Sequence, residues 1–279
     1  GVMVTGKQVI DGTTYTFASD GKLIVESKRG WKTVNGKKYY YNENGVAVTG
    51  WQTIDGKKYF FMPEGYMMTG WISFGQTRYY LMPDGHMLTG WCSFGSTKYY
   101  LASDGKMVRG WQTISGKKYY FNEKGIQQNG WQKIKGDYYF FQIRNGCYAS
   151  MVTSRRVNGI YLTKSGEARY NSEEKRKLNL MVTANQVMRR VTKRNMSKPE
   201  KLWRCYLKAV SYGYGGTGND YDFRYYYSNW DVSYAEDMFY RGHGDCFAFA
   251  SAFAYLANAV GFEAKVISSG GHGWAEIKG

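Results

Sequence analysis

Cys246 and His272 are the residues of this 279-residue chain whose types and surroundings best suit chemistry. Cys246 follows Gly244 and Asp245 and opens the run CFAFASAFAYLANAV, which holds no Pro, no Gly and no formal charge. Such a run predicts a buried helix. Asp245 is placed to cap it, so the Cys246 thiol would stand at the positive end of the helix dipole, where a thiolate is favoured. A thiolate is a nucleophile, and an imidazole beside it can take the thiol proton and later return one to a leaving group. His272 is the candidate base; His243, in a Gly-rich loop just before Cys246, is its rival. The chemistry expected is attack on an amide carbonyl. The Cys246 N–H would help hold the oxyanion, with Tyr212 or Trp230 as candidate second donor.

The flanking residues predict the elements that must position this pair. Gly261 ends the helix, residues 263–268 read as a strand, Gly270 and Gly271 make a turn, and residues 272–277 alternate as a second strand. Upstream, residues 171–195 carry Leu178, Met181, Val182, Ala184, Val187, Met188 and Val191 at helical spacing. Pro199 starts a further helix, 199–212, in keeping with the preference for Pro in a first turn. The glycine- and tyrosine-rich stretch GYGGTGNDYDFRYYYSNW that follows reads as a loop able to form one wall of a substrate groove.

The rest of the chain is repetitive. Gly-Trp pairs recur at Trp31, Trp51, Trp71, Trp91, Trp111 and Trp131, every 20 residues without a slip. A unit such as GWQTIDGKKYFFMPEGYMMTG predicts a β-hairpin, with Asp-Gly or Asn-Gly supplying the positive φ of a tight turn. Isolated hairpins are marginal in water, so the repeats must stack. Degenerate copies at 6–25 and 157–170 extend the array. The expected fold is multidomain: an all-β hairpin-repeat solenoid over 1–170, then an α+β domain over 171–279. The opening GVMVTG matches the end of a repeat, so the sequence is expected to be a piece of a longer chain.

These repeats resemble the cell-wall-binding repeats of Gram-positive surface proteins, a group that includes choline-binding and glucan-binding modules. The resemblance implies a secreted, surface-held protein. Its partner would be a cell-wall polymer or polysaccharide, bound through Trp31, Trp51, Trp71, Trp91, Trp111 and Trp131 with Tyr39, Tyr59, Tyr79, Tyr99 and Tyr119. Choline modules carry an extra Trp before the paired tyrosines; here that place holds Lys38, Lys58, Arg78, Lys98 and Lys118. A cation there opposes a quaternary ammonium, which favours glycan over choline. About half of the aromatic rings are expected to fill the core instead.

Around GDCFAFASAFAYLANAVGFEAKV, HGWAEI and PEKLWRCYLKAVSY, the second part resembles the transglutaminase-like, papain-like cysteine hydrolases, which use Cys, His and Asp in that order. The resemblance implies Cys246 and His272 as catalytic residues, a peptide or protein substrate, and an orienting Asp expected beyond Gly279. Hydrolysis by a peptidase or amidase is the preferred outcome. A crosslinking transferase, a non-catalytic adhesin and a carbohydrate-binding protein are the alternatives.

Charge is uneven. Residues 151–208 carry 15 basic and 4 acidic groups, whereas 209–279 carry 4 and 8. The basic run at Arg189, Arg190, Lys193 and Arg194 has no recognition motif beside it, so nucleic acid is not an expected partner. No membrane span is present. Four cysteines make no disulfide framework in a chain this long. With three His and no ligand-like spacing, neither a metal nor another cofactor is expected.

Overall fold

The computed structural model describes residues 3–24, 29–95, 97–143, 149–193, 195–215, 229–269 and 271–278. The chain divides into two compact units, Gly1–Gly90 with Leu101–Met107, and Trp91–Tyr100 with Val108–Gly279.

In the first unit the repeats form antiparallel hairpins, Gly30–Val34 with Lys37–Tyr41, Gly50–Ile54 with Lys57–Phe61, and Gly70–Phe74 with Thr77–Leu81. Asp55 and Gly56 take φ of 50° and 75°, the two left-handed residues of a tight hairpin turn. This turn sets Trp51 opposite Phe60 and Gln52 opposite Tyr59. Successive repeats are joined through the backbone as well as through side chains. The N–H of Met67 donates to the Lys38 carbonyl and that of Met87 to the Lys58 carbonyl, both at 2.7 Å. Gly85 shows why the trailing turn keeps its glycine: φ is 93°, and a Cβ there would lie 2.1 Å from Met67 Sδ. The degenerate first copy also forms a hairpin, Gly6–Ile10 with Thr13–Phe17.

In the second unit Trp111 and Trp131 begin two more hairpins, Gly110–Ile114 with Lys117–Phe121 and Gly130–Ile134 with Asp137–Phe141. Short strands Arg155–Val157, Ile160–Leu162 and Ala168–Arg169 follow. Helix α1, Ser172–Val191, starts with a capping box in which Asn171 and Glu174 satisfy each other's backbone N–H. It buries Leu178, Met181, Ala184 and Met188 as their spacing predicts, and Leu180 and Asn185 as well. Asn185 is the polar exception in this face: its Nδ2 donates to the Asn129 carbonyl at 2.8 Å and the Trp131 carbonyl at 3.2 Å. Gly130 leaves the room for this, since a Cβ there would meet Asn185 Oδ1 at 2.4 Å. Arg189 donates to Gln128 Oε1 at 2.7 Å, so part of the basic run serves packing; Arg194 lies outside the described residues.

Helix α2, Lys198–Val210, has its own capping box from Ser197 and Glu200. Helix α3, Trp230–Glu236, continues into a π-helical turn, Asp237–Arg241, closed by Gly242 at φ 79°. Helix α4, Cys246–Val260, runs through the core and is followed by the antiparallel strands Glu263–Ser269 and His272–Lys278. The helix and strand predictions around Cys246 and His272 therefore agree with the structure. Neither α3 nor the short parallel pairing of Gly213–Tyr214 with His243–Gly244 is foreseen by local sequence pattern. The predicted groove loop mostly falls at 216–228, outside the described residues.

Asn185→Ala removes the donor for one buried and one half-buried carbonyl and is expected to lower stability by about 1–3 kcal/mol, read from denaturant midpoints. Asn185→Asp, equal in shape but unable to donate, should cost at least as much.

Candidate active site and aromatic clusters

Helix α4 begins at Cys246 because Asp245, in extended conformation, accepts from the N–H groups of Phe247 at 2.9 Å and Ala248 at 3.1 Å. Two glycines then let other segments approach this first turn. A Cβ on Gly244 would lie 2.3 Å from the Ala248 methyl group, and one on Gly273 would lie 3.1 Å from Phe247 Cα and 2.5 Å from its ring. The glycines beside Cys246 and His272 in the sequence thus bring the His strand against the start of the Cys helix.

Cys246 and His272 line one cavity of about 380 Å³. Phe249, Ala250 and Phe253 of α4 form its floor with Tyr206, Ala209 and Val210 of α2; Tyr214, Gly273, Trp274 and Ala275 complete it. Cys246 is half-buried and His272 exposed, its ring stacked on Trp274 at 6.5 Å and 25°. Among the described residues no hydrogen bond joins Cys246 to His272, and no carboxylate holds the imidazole. The arrangement leaves a space into which a thiol and a base both open.

Tyr212 and Trp230, the candidate second donors, pack with Cys246 around the cluster of Tyr234, Met238, Phe247, Ala248 and Ala252, but neither lines the cavity. Tyr212 meets Phe239 edge-on, and burial pushes its hydroxyl pKa up. Trp230 meets Tyr234 and Phe247 edge-on at 5.8 and 5.9 Å. His243 is half-buried and also stands outside the cavity lining. Tyr214 belongs to the stretch read from sequence as a groove wall, whereas Tyr206, Phe249, Phe253 and Trp274 are lining residues with no role expected from sequence. For three of them a signal existed: Phe249 and Phe253 follow Cys246 at helical spacing, and Trp274 shares the strand face of His272.

In the repeats, the rings form clusters that join one hairpin to the next. Trp31 meets Tyr40 of its own hairpin at 5.2 Å and Tyr59 of the following one at 5.1 Å. Trp111 meets Tyr120 at 5.3 Å and Tyr139 at 4.8 Å, and Trp91 meets Tyr100 and Tyr119 in the same way. Trp51 meets Phe60 and Tyr79. The ring opposite each Trp is thus the second of the paired aromatics, a position the sequence reading passed over. Trp31 and Trp111 are exposed, whereas Trp51, Trp71 and Trp91 are half-buried, like Tyr39, Tyr79 and Tyr99. Tyr59, Tyr119 and Trp131 are buried. Trp131 corrects the expectation of a ligand contact: at 4% exposure, with its Nε1–H donated to Asn158 Oδ1, it belongs to the core under α1 and α4. Cations of the basic column lie over two indole rings, Lys58 Nζ 4.9 Å from the Trp51 centroid and Arg78 Cζ 4.5 Å from that of Trp71.

Among the described residues, no group of three or more His, Cys, Asp or Glu could hold a metal, and no helix is long and apolar enough to cross a membrane.

Family models match most of the chain. A choline-binding repeat model matches residues 28–51, 48–89 and 108–155, a cell wall binding repeat model matches 89–107, and the model of the transglutaminase-like superfamily matches 183–278. Among solved structures, the chain is similar to CbpJ from Streptococcus pneumoniae TIGR4, with 30% identity over 60% of this chain and 58% of that one and a TM-score of 0.47. It is similar to choline binding protein F from Streptococcus pneumoniae, solved in the presence of a peptidoglycan analogue, with 30% identity, the same coverage and a TM-score of 0.48. The choline-binding domain of CbpL from Streptococcus pneumoniae is 26% identical over 60% of this chain and 87% of that one, at a TM-score of 0.40. The chain spans 58% of the length of the first two. No curated protein matches it.

Burial pushes the Cys92 thiol up to about 11 and the Cys205 thiol up to about 12. A raised thiol pKa keeps the neutral form until the pH climbs past the raised value. Iodoacetamide at pH 7.5 should therefore label Cys246 well before Cys92 and Cys205, which should react only near those high pH values or on unfolding. Peptide mapping of the alkylated chain checks the order, and equal labelling would count against a poised Cys246.

Proposed function

From a chain that carries choline-binding repeats followed by a transglutaminase-like domain, we propose a secreted cysteine hydrolase held at a bacterial cell wall. Residues 1–170 are the anchor and 171–279 the reaction domain. The reading rests on one observation: Cys246, at the head of α4, and His272 open into the same cavity. His272 takes the thiol proton as Cys246 Sγ bonds to an amide carbonyl carbon, and the Cys246 N–H faces the charge that gathers on oxygen. Collapse breaks the C–N bond, His272 returns the proton to the departing amine, and a thioester remains. Water then adds to the thioester, the C–S bond breaks, and a carboxylic acid and the free thiol are released. A lysine amine in place of water would give a crosslink. Hydrolysis is preferred because, among the described residues, no carboxylate lines the cavity to attract an ammonium group. Tyr212 and Trp230 stay in the proposal as positioning residues beside Cys246, through the cluster they share.

A second reading, a domain that binds without catalysis, is favoured by the imidazole, which no carboxylate orients among the described residues. Incubation with a peptide library and with solubilised wall fragments separates the two. The hydrolase reading expects new carboxyl and amino termini with the native chain and none with Cys246→Ala; identical digests from both would leave the binding reading.

For the anchor we propose a wall polymer as ligand, its sugars stacking on the exposed rings of Trp31 and Trp111. Glycan is favoured over choline where Lys58 and Arg78 already cover the indoles of Trp51 and Trp71. The three-ring clusters around Trp31 and Trp111, together with the family match, favour choline as the second reading. Several weak sites on one array give avidity, about 10²-fold or more over one site. Sedimentation of the Cys246→Ala chain with purified wall should therefore fall steeply when Trp31 and Trp111 are both changed to Ala. Displacement of the parent chain by millimolar choline would overturn the glycan preference.

A further inference from the structure

The cavity beside Cys246 carries information about the acyl donor, and the step below rests on the acyl-transfer reading just given. Five of its lining residues are aromatic: Tyr206 from α2, Phe249 and Phe253 from α4, Tyr214, and Trp274 from the His strand. The rings support one another. Tyr206 meets Phe253 edge-on at 5.6 Å, and Tyr214 stacks on Phe249 at 6.2 Å and 22°. Among the described residues, none that lines the cavity is an Asp, Glu, Lys or Arg. The nearest charges on the His strand and its neighbour, Glu276 and Lys265, are paired with each other at 2.9 Å.

Tyr214 is 80% exposed, Trp274 44% and Tyr206 41%, so large apolar faces next to the nucleophile are left to water. An aromatic side chain buries about 150–250 Å² when it is covered, and a space of 380 Å³ falls within the range of about 300–1,000 Å³ usual for ligand pockets. A substrate side chain bearing an ammonium or carboxylate would lose its water here and, among the described residues, find no Asp, Glu, Lys or Arg in the lining to pair with.

We infer that this groove is a specificity subsite that selects an acyl donor with an aromatic or large apolar side chain next to the scissile carbonyl. Tyr206, Phe253 and Trp274 are its specificity-determining residues, and a charged side chain at that position is rejected.

The test uses the intact chain and a series of N-acetyl-aminoacyl chloromethyl ketones built on Phe, Ala, Lys and Glu. In each, Cys246 Sγ forms a C–S bond as chloride leaves and the thiol proton passes to solvent. Rates at Cys246 are read by peptide mapping and divided by the iodoacetamide rate, which removes intrinsic thiol reactivity. The Phe reagent should react about tenfold or more faster than the Lys and Glu reagents, with Ala between them. Tyr206→Glu, at an exposed helical position and checked by its thermal transition, should raise the Lys reagent relative to Phe. Equal normalised rates for Phe, Lys and Glu on the parent chain would overturn the subsite while leaving the acyl-transfer reading intact. If neither iodoacetamide nor any ketone labels Cys246 ahead of Cys92 and Cys205, both fall.

Discussion

The first turn of α4 is where the transglutaminase-like domain is held to its geometry. Four N–H groups at a helix start have no partner within the helix, and here the Asp245 carboxylate takes two of them. That bond pair fixes the helix to begin at Cys246 and no earlier, which leaves the thiol at the end of the helix instead of within its side. The turn is also the point of closest approach for two other segments, admitted by Gly244 and Gly273. With any larger residue at either place the His strand or the preceding strand would have to move outward, and Cys246 and His272 would no longer share a cavity. The apolar run behind Cys246 completes the constraint, because it lets α4 be packed on nearly all sides and so held still.

The hairpin array follows a different rule. Each hairpin buries little by itself, so adjacent repeats borrow from one another: the trailing segment of one repeat hydrogen-bonds the hairpin before it, and Trp31, Trp51, Trp91 and Trp111 each rest on a ring of the next hairpin. Such nearest-neighbour coupling needs the same spacing every time, which is the physical content of an unbroken period of 20. It also means that rings serve two ends. Where helices cover them, as α1 and α4 cover Trp131, they are core; where only the next hairpin meets them, as with Trp31 and Trp111, part of each ring stays exposed.

Within the second unit, polar groups tie the last hairpins to the helices. Asn185 reaches the carbonyls of Asn129 and Trp131, and Asn158 links the Trp131 indole to Asn258 on α4. Asn258 in turn donates to the Ala254 and Ala264 carbonyls, so the chain of bonds ends on the strand that pairs with the His strand. These contacts give the joint a defined register that apolar packing alone would leave looser.

The sequence by itself determined most features that depend on neighbours a few residues apart, the short helix α3 being an exception. The Asp-Gly turns, the 20-residue period, the capped α4 beginning at Cys246, the Gly261 stop and the alternating strand from His272 all follow from local backbone preference and side-chain periodicity. The tertiary structure decided what depends on which surface covers which. Trp131 and Trp31 occupy the same place in the repeat, yet one is buried by the helices and the other is not. Tyr212 and Trp230, candidate donors by proximity in sequence, turn into the cluster behind Cys246, while Tyr214, two residues on, lines the cavity because its short strand pairs with His243–Gly244. Only single walls of the aromatic groove are legible in the chain, because they come from α2, α4, the short Tyr214 strand and the His strand. Nothing in their sequence spacing fixes how those elements meet; that is set by the fit of glycines and small residues where they cross.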